Sequence, residues 1–124
     1  MTETRVLIVD DEADMRDLVR ATIEIANSGL SVSGVAEDGD EAVAQWREQR
    51  PEVVLLDQRM PRMSGLEAAQ RILAECPDQK IILFTAYLDD ITEAAAQRFG
   101  ITACMSKRDI RRLPQALWDH AESA

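Results

Sequence analysis

Five polar residues in this sequence lie at the ends of short apolar runs. Asp10 and Asp11 follow the first run, Asp57 follows the third, Thr85 ends the fourth, and Lys107 closes the last. If these runs are parallel strands of one open α/β sheet, their carboxyl ends lie at one edge, where such sheets bind ligands. The sequence therefore predicts a single site that holds three carboxylates, a hydroxyl group and an ammonium group.

Carboxylates held this close repel one another, and a bound cation relieves the repulsion. Oxygen ligands with room for water suit Mg²⁺, which is the predicted cofactor. We expect Asp11 and Asp57 to be direct ligands and Asp10 to hold a metal-bound water. The backbone carbonyl of Arg59, in the loop after Asp57, would complete the protein's share of the coordination.

An aspartate whose charge is neutralised by a metal can attack a phosphorus atom. Asp57 would be this nucleophile, Lys107 would stabilise charge on the phosphoryl oxygens, and Thr85 would hydrogen-bond the transferred group. Seen singly, these residues have ordinary explanations as a helix-start acid, a loop acid, a strand residue or a solvated charge. Their joint placement favours phosphoryl transfer over those separate explanations.

Short β-rich apolar runs alternate with longer stretches of helical periodicity, which predicts βαβ units around a parallel sheet. The predicted strands cover residues 5–9, 31–36, 53–56, 80–84 and 103–105. The first, third and fourth are continuously apolar, as expected for central strands covered by helices on both faces.

Amphipathic helices are predicted after each of these strands. In the first helix, Leu18, Thr22 and Ile25 share the face that we expect to point inward. The fourth helix is expected from Asp90 to Phe99, with its end at Gly100.

The chain has 124 residues, and we predict one domain over residues 1–124. Its formal net charge of −9 disfavours direct binding to nucleic acid or to an anionic membrane. The apolar runs are too short to cross a bilayer and the N-terminus lacks a signal peptide's apolar stretch, so we expect a cytoplasmic location. Cys76 and Cys104 lack metal-site or redox spacing and are expected to be reduced and buried.

The motifs at the strand ends resemble the receiver domain of two-component response regulators (CheY-like), and the resemblance covers the whole chain. The matching segments are Asp10-Asp11, Leu55-Leu56-Asp57-Gln58-Arg59-Met60-Pro61, Ser64-Gly65-Leu66-Glu67, Thr85-Ala86 and Lys107. The resemblance implies a flavodoxin-like, doubly wound (βα)5 fold. In that fold, helices cover both faces of a five-stranded parallel sheet of order 2-1-3-4-5.

The same resemblance implies a phosphorelay function in signal transduction. Asp57 would be the phosphoacceptor, Asp10 and Asp11 the metal site, Thr85 the switch hydroxyl and Lys107 the phosphate-sensing cation. The donor would be a sensor histidine kinase or a phosphotransfer protein. Such a domain catalyses its own phosphorylation and dephosphorylation without being a conventional turnover enzyme. The face formed by the fourth helix, fifth strand and fifth helix would control a downstream protein or an output domain outside these residues, or form a homodimer on phosphorylation.

Two positions depart from the family pattern. Arg108 follows Lys107 where receivers usually have a proline in a cis peptide, so we expect that slowly isomerising bond to be missing. Cys104 replaces the aromatic residue that is common three positions before the lysine. The usual aromatic switch is therefore in doubt for this chain.

Three other functions fit parts of the pattern. A phosphohydrolase with a D-x-D pair is disfavoured because Arg59 stands at the second acid position. A flavin- or nucleotide-binding module would need an anion cradle after the first strand, where the acids at 10–12 repel phosphate. A receiver-fold interaction module that works without phosphorylation stays open, because the residues indicate competence and not use.

Overall fold

Strands and helices alternate along the computed structural model, which describes residues 3–26 and 29–122. The elements in chain order are β1 (Thr4–Val9), α1 (Ala13–Ala26), β2 (Leu30–Ala36), α2 (Gly39–Gln49), β3 (Val53–Leu56), α3 (Gly65–Glu75), β4 (Lys80–Thr85), α4 (Asp90–Phe99), β5 (Ala103–Ser106), a 3-10 helix (Lys107–Arg112) and α5 (Leu113–Glu122). Each strand agrees with its predicted bounds to within one residue. Helix α4 ends as predicted at Gly100, whose φ of 84° is the left-handed conformation that glycine accepts readily.

The five strands form one parallel sheet in the order β2-β1-β3-β4-β5, which confirms the predicted order. β1 pairs with both β2 and β3, and β4 pairs with both β3 and β5. β1, β3 and β4 are buried almost throughout, as their continuous apolar sequences predict. Because all strands run in the same direction, their carboxyl ends lie at one edge of the sheet.

Alternating side chains along the strands contribute to two hydrophobic cores, one on each face of the sheet. On one face, α2, α3 and α4 cover a core in which Trp46 is fully buried and donates a hydrogen bond to Gln79 Oε1 at 2.8 Å. On the other face, α1 and α5 contribute the fully buried Ile23, Leu113 and Leu117. The predicted covering of both faces by helices is therefore confirmed.

Helix α1 faces the core with a different side from the one predicted. Val19 and Ile23 are buried, whereas Leu18 is 49% exposed and Ile25 is 82% exposed. The helix carries a second apolar stripe, formed by Met15, Val19 and Ile23, and that stripe packs on the sheet. Periodicity alone did not separate the two neighbouring stripes, because the choice depends on the surface that the helix meets.

Three other expectations have clear outcomes. The described residues contain no cis peptide bond, as expected where Arg108 follows Lys107. Cys76 and Cys104 are free thiols, but they are half-buried and not buried, because Cys76 ends α3 and Cys104 lies on the edge strand β5. None of the described helices is long and apolar enough to cross a bilayer.

Candidate functional site

Four of the predicted site residues lie at the carboxyl ends of neighbouring strands. Asp10 follows β1, Asp57 follows β3, Thr85 ends β4 and Lys107 follows β5. The Asp10 N–H donates to the last residue of β2 at 3.1 Å, and the Asp57 N–H donates to the last residue of β1 at 3.0 Å. These bonds extend the sheet pattern by one residue and fix both acids at its edge. Asp10, Asp57 and Thr85 are buried, with 3%, 5% and 1% of their surfaces exposed.

Lys107 is the cation of this site. Its Nζ lies 2.6 Å from Asp10 Oδ2 and donates a hydrogen bond to Asp57 Oδ2 at 3.2 Å. The lysine side chain is only 9% exposed. Two carboxylates from different strands thus share one buried ammonium group, and the negative charge that remains attracts a further cation.

Burial and neighbouring charges together set the pKa values of Asp57 and Lys107. It raises the pKa of Asp57 above its ordinary value, although the charge of Lys107 opposes the rise. The charge of Asp10 raises this pKa further, while hydrogen bonds from Lys107 and from the Arg59 backbone N–H lower it. Burial alone would lower the pKa of Lys107, but its hydrogen bond to Asp10 and the charges of both acids outweigh burial and raise it. Lys107 is therefore an ammonium group at neutral pH.

Asp10, Asp11 and Glu12 form an acidic cluster directly before α1. Their carboxylate oxygens lie within 4.8 Å of one another. Asp10 Oδ1 accepts a hydrogen bond from the Glu12 N–H at 2.9 Å, which holds the cluster together. Asp10 is buried, whereas Asp11 and Glu12 are exposed to water. Hard oxygen donors with access to water fit Mg²⁺. Glu12 is not among the predicted ligands, although its position directly after the acidic pair is a signal for it.

Arg59 and Tyr87 are in contact on the exposed side of the site. The guanidinium carbon of Arg59 lies 5.3 Å from the centroid of the Tyr87 ring, which is within cation–π range. Arg59 is exposed, and Tyr87 is 68% exposed. Two large side chains, one from the loop after β3 and one from the loop after β4, therefore meet at the edge of the sheet that carries Asp57.

The loop from Asp57 to α3 leaves no space for a side chain at Gly65. A Cβ atom at this position would lie 2.2 Å from the backbone oxygen of Asp57. The Gly65 N–H donates to Gln58 O at 2.9 Å, and the Leu66 N–H donates to Gln58 Oε1 at 2.8 Å. Ser64 caps α3 with its side chain. The start of α3 is thus held directly against the backbone of the site.

A groove of about 520 Å³ lies between α4 and β5. Cys104 lines it together with the small residues Ala94 and Ala103 and the acids Asp90 and Glu93. Burial raises the pKa of the Cys104 thiol, so the thiol stays protonated and weakly reactive at neutral pH. The short side chain of Cys104 cannot act as the aromatic switch that the family commonly has on this strand.

Known proteins with similar sequences and structures share this fold. A sequence model described as "Response regulator receiver domain" matches residues 6–117. The chain is 44% identical to the response regulator GacA of Pseudomonas protegens over 106 residues, which are 83% of this chain and 48% of that protein. It is 42% identical to the chemotaxis protein CheY of Thermotoga maritima over 82 residues, 66% of this chain and 67% of that protein. A two-component response regulator of the LuxR family from Aurantimonas sp. SI85-9A1 superimposes with a TM-score of 0.91 at 28% identity, covering 97% of this chain and 86% of that one.

The relatives differ in length from this chain. It spans about half of GacA and 29% of a protein-glutamate methylesterase from Myxococcus xanthus. The segment matched by the family begins in β1 and ends in α5, so it includes every predicted site residue. A match of this extent, on a sheet with the strand order found here, shows that the chain belongs to the response regulator receiver family of two-component signal transduction.

Proposed function

We propose that this chain is a phosphorylation switch in which Asp57 accepts a phosphoryl group. The observation that carries the proposal is the buried contact of Lys107 with Asp10 and Asp57, at 2.6 and 3.2 Å. A carboxylate beside a fixed cation can take up a phosphoryl group whose negative charge has a partner already in position. The proposed donor is a phosphohistidine of a sensor histidine kinase or of a phosphotransfer protein.

The proposed transfer is a displacement at the phosphorus atom of the donor. A carboxylate oxygen of Asp57 attacks the phosphorus, the new P–O bond forms, and the P–N bond of the phosphohistidine breaks. The imidazole nitrogen keeps the electron pair and takes up a proton from water. Lys107 pairs with a phosphoryl oxygen, and the Thr85 hydroxyl donates to another. Water later attacks the phosphorus, which restores Asp57 and releases inorganic phosphate, so the chain catalyses both steps on itself.

We propose that the reaction depends on Mg²⁺. When bound, Mg²⁺ would offset the negative charge of the acids and of the phosphoryl oxygens. Asp11, Asp57 and the backbone carbonyl of Arg59 would hold it directly, and Asp10 would hold it through a water. The cluster of carboxylate oxygens within 4.8 Å of one another at Asp10, Asp11 and Glu12 supports Asp10 and Asp11 as members of this set. The support for Asp57 is that it shares the Lys107 ammonium group with Asp10.

The proposed output surface is the face formed by α4, β5 and α5. If Thr85 moves toward the phosphoryl group and Lys107 pairs with it, the loop after β4 and strand β5 must follow, and α4 and α5 move with them. A downstream protein, or an output domain outside these residues, would bind this face. A homodimer formed on phosphorylation is included in the proposal, and so is a cytoplasmic location. The net charge of −9 disfavours nucleic acid and membranes as direct partners.

Mass spectrometry of the intact chain with acetyl phosphate tests the phosphoacceptor. The wild type should gain one phosphoryl group only in the presence of Mg²⁺, and Asp57→Ala should gain none. Asp78→Ala removes an exposed acid from the turn after α3 and is the matched control, which should react like the wild type. Undiminished phosphorylation of Asp57→Ala would refute the assignment.

Beryllofluoride, a mimic of the phosphoryl group, tests the output. With Mg²⁺ and beryllofluoride, amide chemical shifts should change in α4 and α5 but not in α2. Thr85→Ala should make the changes in α4 and α5 smaller, because the hydroxyl that pulls on the loop is gone. Partner binding that is equal with and without beryllofluoride would favour the interaction module that works without phosphorylation.

A further inference from the structure

Arg59 joins the phosphoacceptor candidate to the start of α4. It stands two residues after Asp57, in the loop that leads from β3 to α3. Its guanidinium group lies over Tyr87, with its carbon 5.3 Å from the ring centroid. Hydrogen bonds from Thr92 and the charge of Arg59 together lower the pKa of Asp89. Arg59 therefore connects the loop after the phosphoacceptor candidate to the loop before α4.

Asp89 holds the first turn of α4. Its Oδ1 accepts a hydrogen bond from the Thr92 N–H at 2.7 Å, which satisfies one of the free backbone donors at the helix start. Asp90 and Glu93 add further negative charge to this turn. The negative charges of these acids repel one another. The positive charge of Arg59 offsets part of this repulsion, so the position of Arg59 affects the stability of the first turn of α4.

We propose that the side chain of Arg59 reports the phosphorylation of Asp57 to α4. This inference rests on the proposed function. In the unphosphorylated chain, Arg59 stacks on Tyr87 and supports the Asp89 cap. A phosphoryl group on Asp57 draws the guanidinium away from both, and the first turn of α4 loosens.

The balance of interactions favours this movement. A phosphoryl group adds a charge of about −1.5 to −2 at neutral pH. It appears on the side chain of Asp57, which stands two residues before Arg59 in the chain. Hydrogen bonds between arginine and phosphate are charge-assisted, and they are stronger than a cation–π contact exposed to water. Because Cys104 cannot act as an aromatic switch, Arg59 supplies a second connection from the site to α4.

Exchange of the Thr92 amide proton with water tests the proposal, because this proton is held by the Asp89 cap. In the wild type, beryllofluoride with Mg²⁺ should speed the exchange by about two- to fivefold, which is the range set by an exposed cation–π contact. In Arg59→Gln, exchange should already be faster by that factor without beryllofluoride, and adding it should change little. Tyr87→Phe should behave like the wild type and Tyr87→Leu like Arg59→Gln, because only phenylalanine keeps the ring.

Arg62→Gln is the matched control. Arg62 is an exposed arginine of the same loop, but it pairs with Asp38 at 3.0 Å and not with the loop before α4. Its loss should leave the Thr92 exchange and its beryllofluoride response unchanged. The role of Arg59 would be overturned if Arg59→Gln and Arg62→Gln changed the Thr92 exchange equally, or if Arg59→Gln kept the full response to beryllofluoride. Chemical-shift changes near Asp57 would in that case still support the phosphoacceptor. No beryllofluoride shift even at Asp57 would overturn the proposed function and this inference with it.

Discussion

Replacement of Lys107 by alanine should leave two buried carboxylates without their shared cation. Asp10 and Asp57 are 3% and 5% exposed, and the ammonium group lies 2.6 and 3.2 Å from their oxygens. Removing one partner of a buried ion pair costs about 3–5 kcal/mol. With an unfolding entropy of about 2.1 cal/mol/K per residue, a loss of 3 kcal/mol lowers the Tm of a 124-residue chain by about 12 °C.

This loss of stability should depend on pH. Burial raises the pKa of Asp57 even while Lys107 is present. Loss of the lysine removes a charge and a hydrogen bond that lower this pKa, so the pKa should rise further. An acid whose pKa is higher in the folded than in the unfolded chain destabilises the fold when it ionises, so the penalty grows as the pH rises through the folded pKa. Lys107→Ala should therefore be less destabilised at about pH 5 than at about pH 7.5.

Thermal unfolding followed by circular dichroism, with EDTA and with saturating Mg²⁺, measures both effects. Mg²⁺ should restore more stability to Lys107→Ala than to the wild type, because no ammonium group competes for Asp10 and Asp57. The control is Lys80→Ala, which removes the chain's other lysine at the opposite end of β4. The reasoning would be refuted if Lys107→Ala lost no more thermal stability than Lys80→Ala, or if Mg²⁺ raised its Tm only as much as that of the wild type.

Three other variants test separate parts of the structure. Gly65→Ala should lower both the Tm and the extent of phosphorylation, because its Cβ would lie 2.2 Å from a backbone oxygen. In the control Gly100→Ala, the Cβ has no neighbour closer than 4.0 Å, and the left-handed backbone should cost only about 1–2 kcal/mol. Equal losses of stability in the two variants would contradict the steric argument. The double variant Arg59→Ala, Tyr87→Ala should lose its phosphoryl group faster, since both side chains limit the approach of water; an unchanged or slower rate would show that they do not shield. Ile25→Ser should change the free energy of unfolding by less than about 0.5 kcal/mol, because the side chain is 82% exposed. A loss of several kcal/mol in urea unfolding would show that Ile25 packs against the core, as the sequence predicted.

The strands and the main cluster of the site were predictable because one physical requirement dominates each of them. Burial on both faces demands continuous apolar residues, and β3 meets this demand with four buried residues that coincide with its predicted bounds. Parallel strands bring their carboxyl ends together, so the contact of Lys107 with Asp10 and Asp57 follows from sequence positions 50 and 97 residues apart. No finer information than the order of the strands was needed.

Other features depend on a balance that the sequence does not display. Helix α1 has two apolar stripes of similar length, and the shape of the sheet surface decides which of them packs. Arg59 lies in the loop after Asp57, but its guanidinium group contacts the ring of Tyr87 in the loop after β4. Sequence spacing predicts that Arg59 lies near Asp57, but only the arrangement of the loops determines its direction.

Phosphorylation of Asp57 would change how Lys107 divides between its two acids. In the unphosphorylated chain, the ammonium group is nearer to Asp10 than to Asp57, at 2.6 against 3.2 Å. A phosphoryl oxygen of higher charge would become its strongest partner and draw it from Asp10. Asp10 would then be a buried carboxylate that loses its nearest cation, and this is costly unless another cation takes that place. The proposed requirement for Mg²⁺ in the phosphorylated state therefore arises from Asp10 as well as from the phosphoryl group.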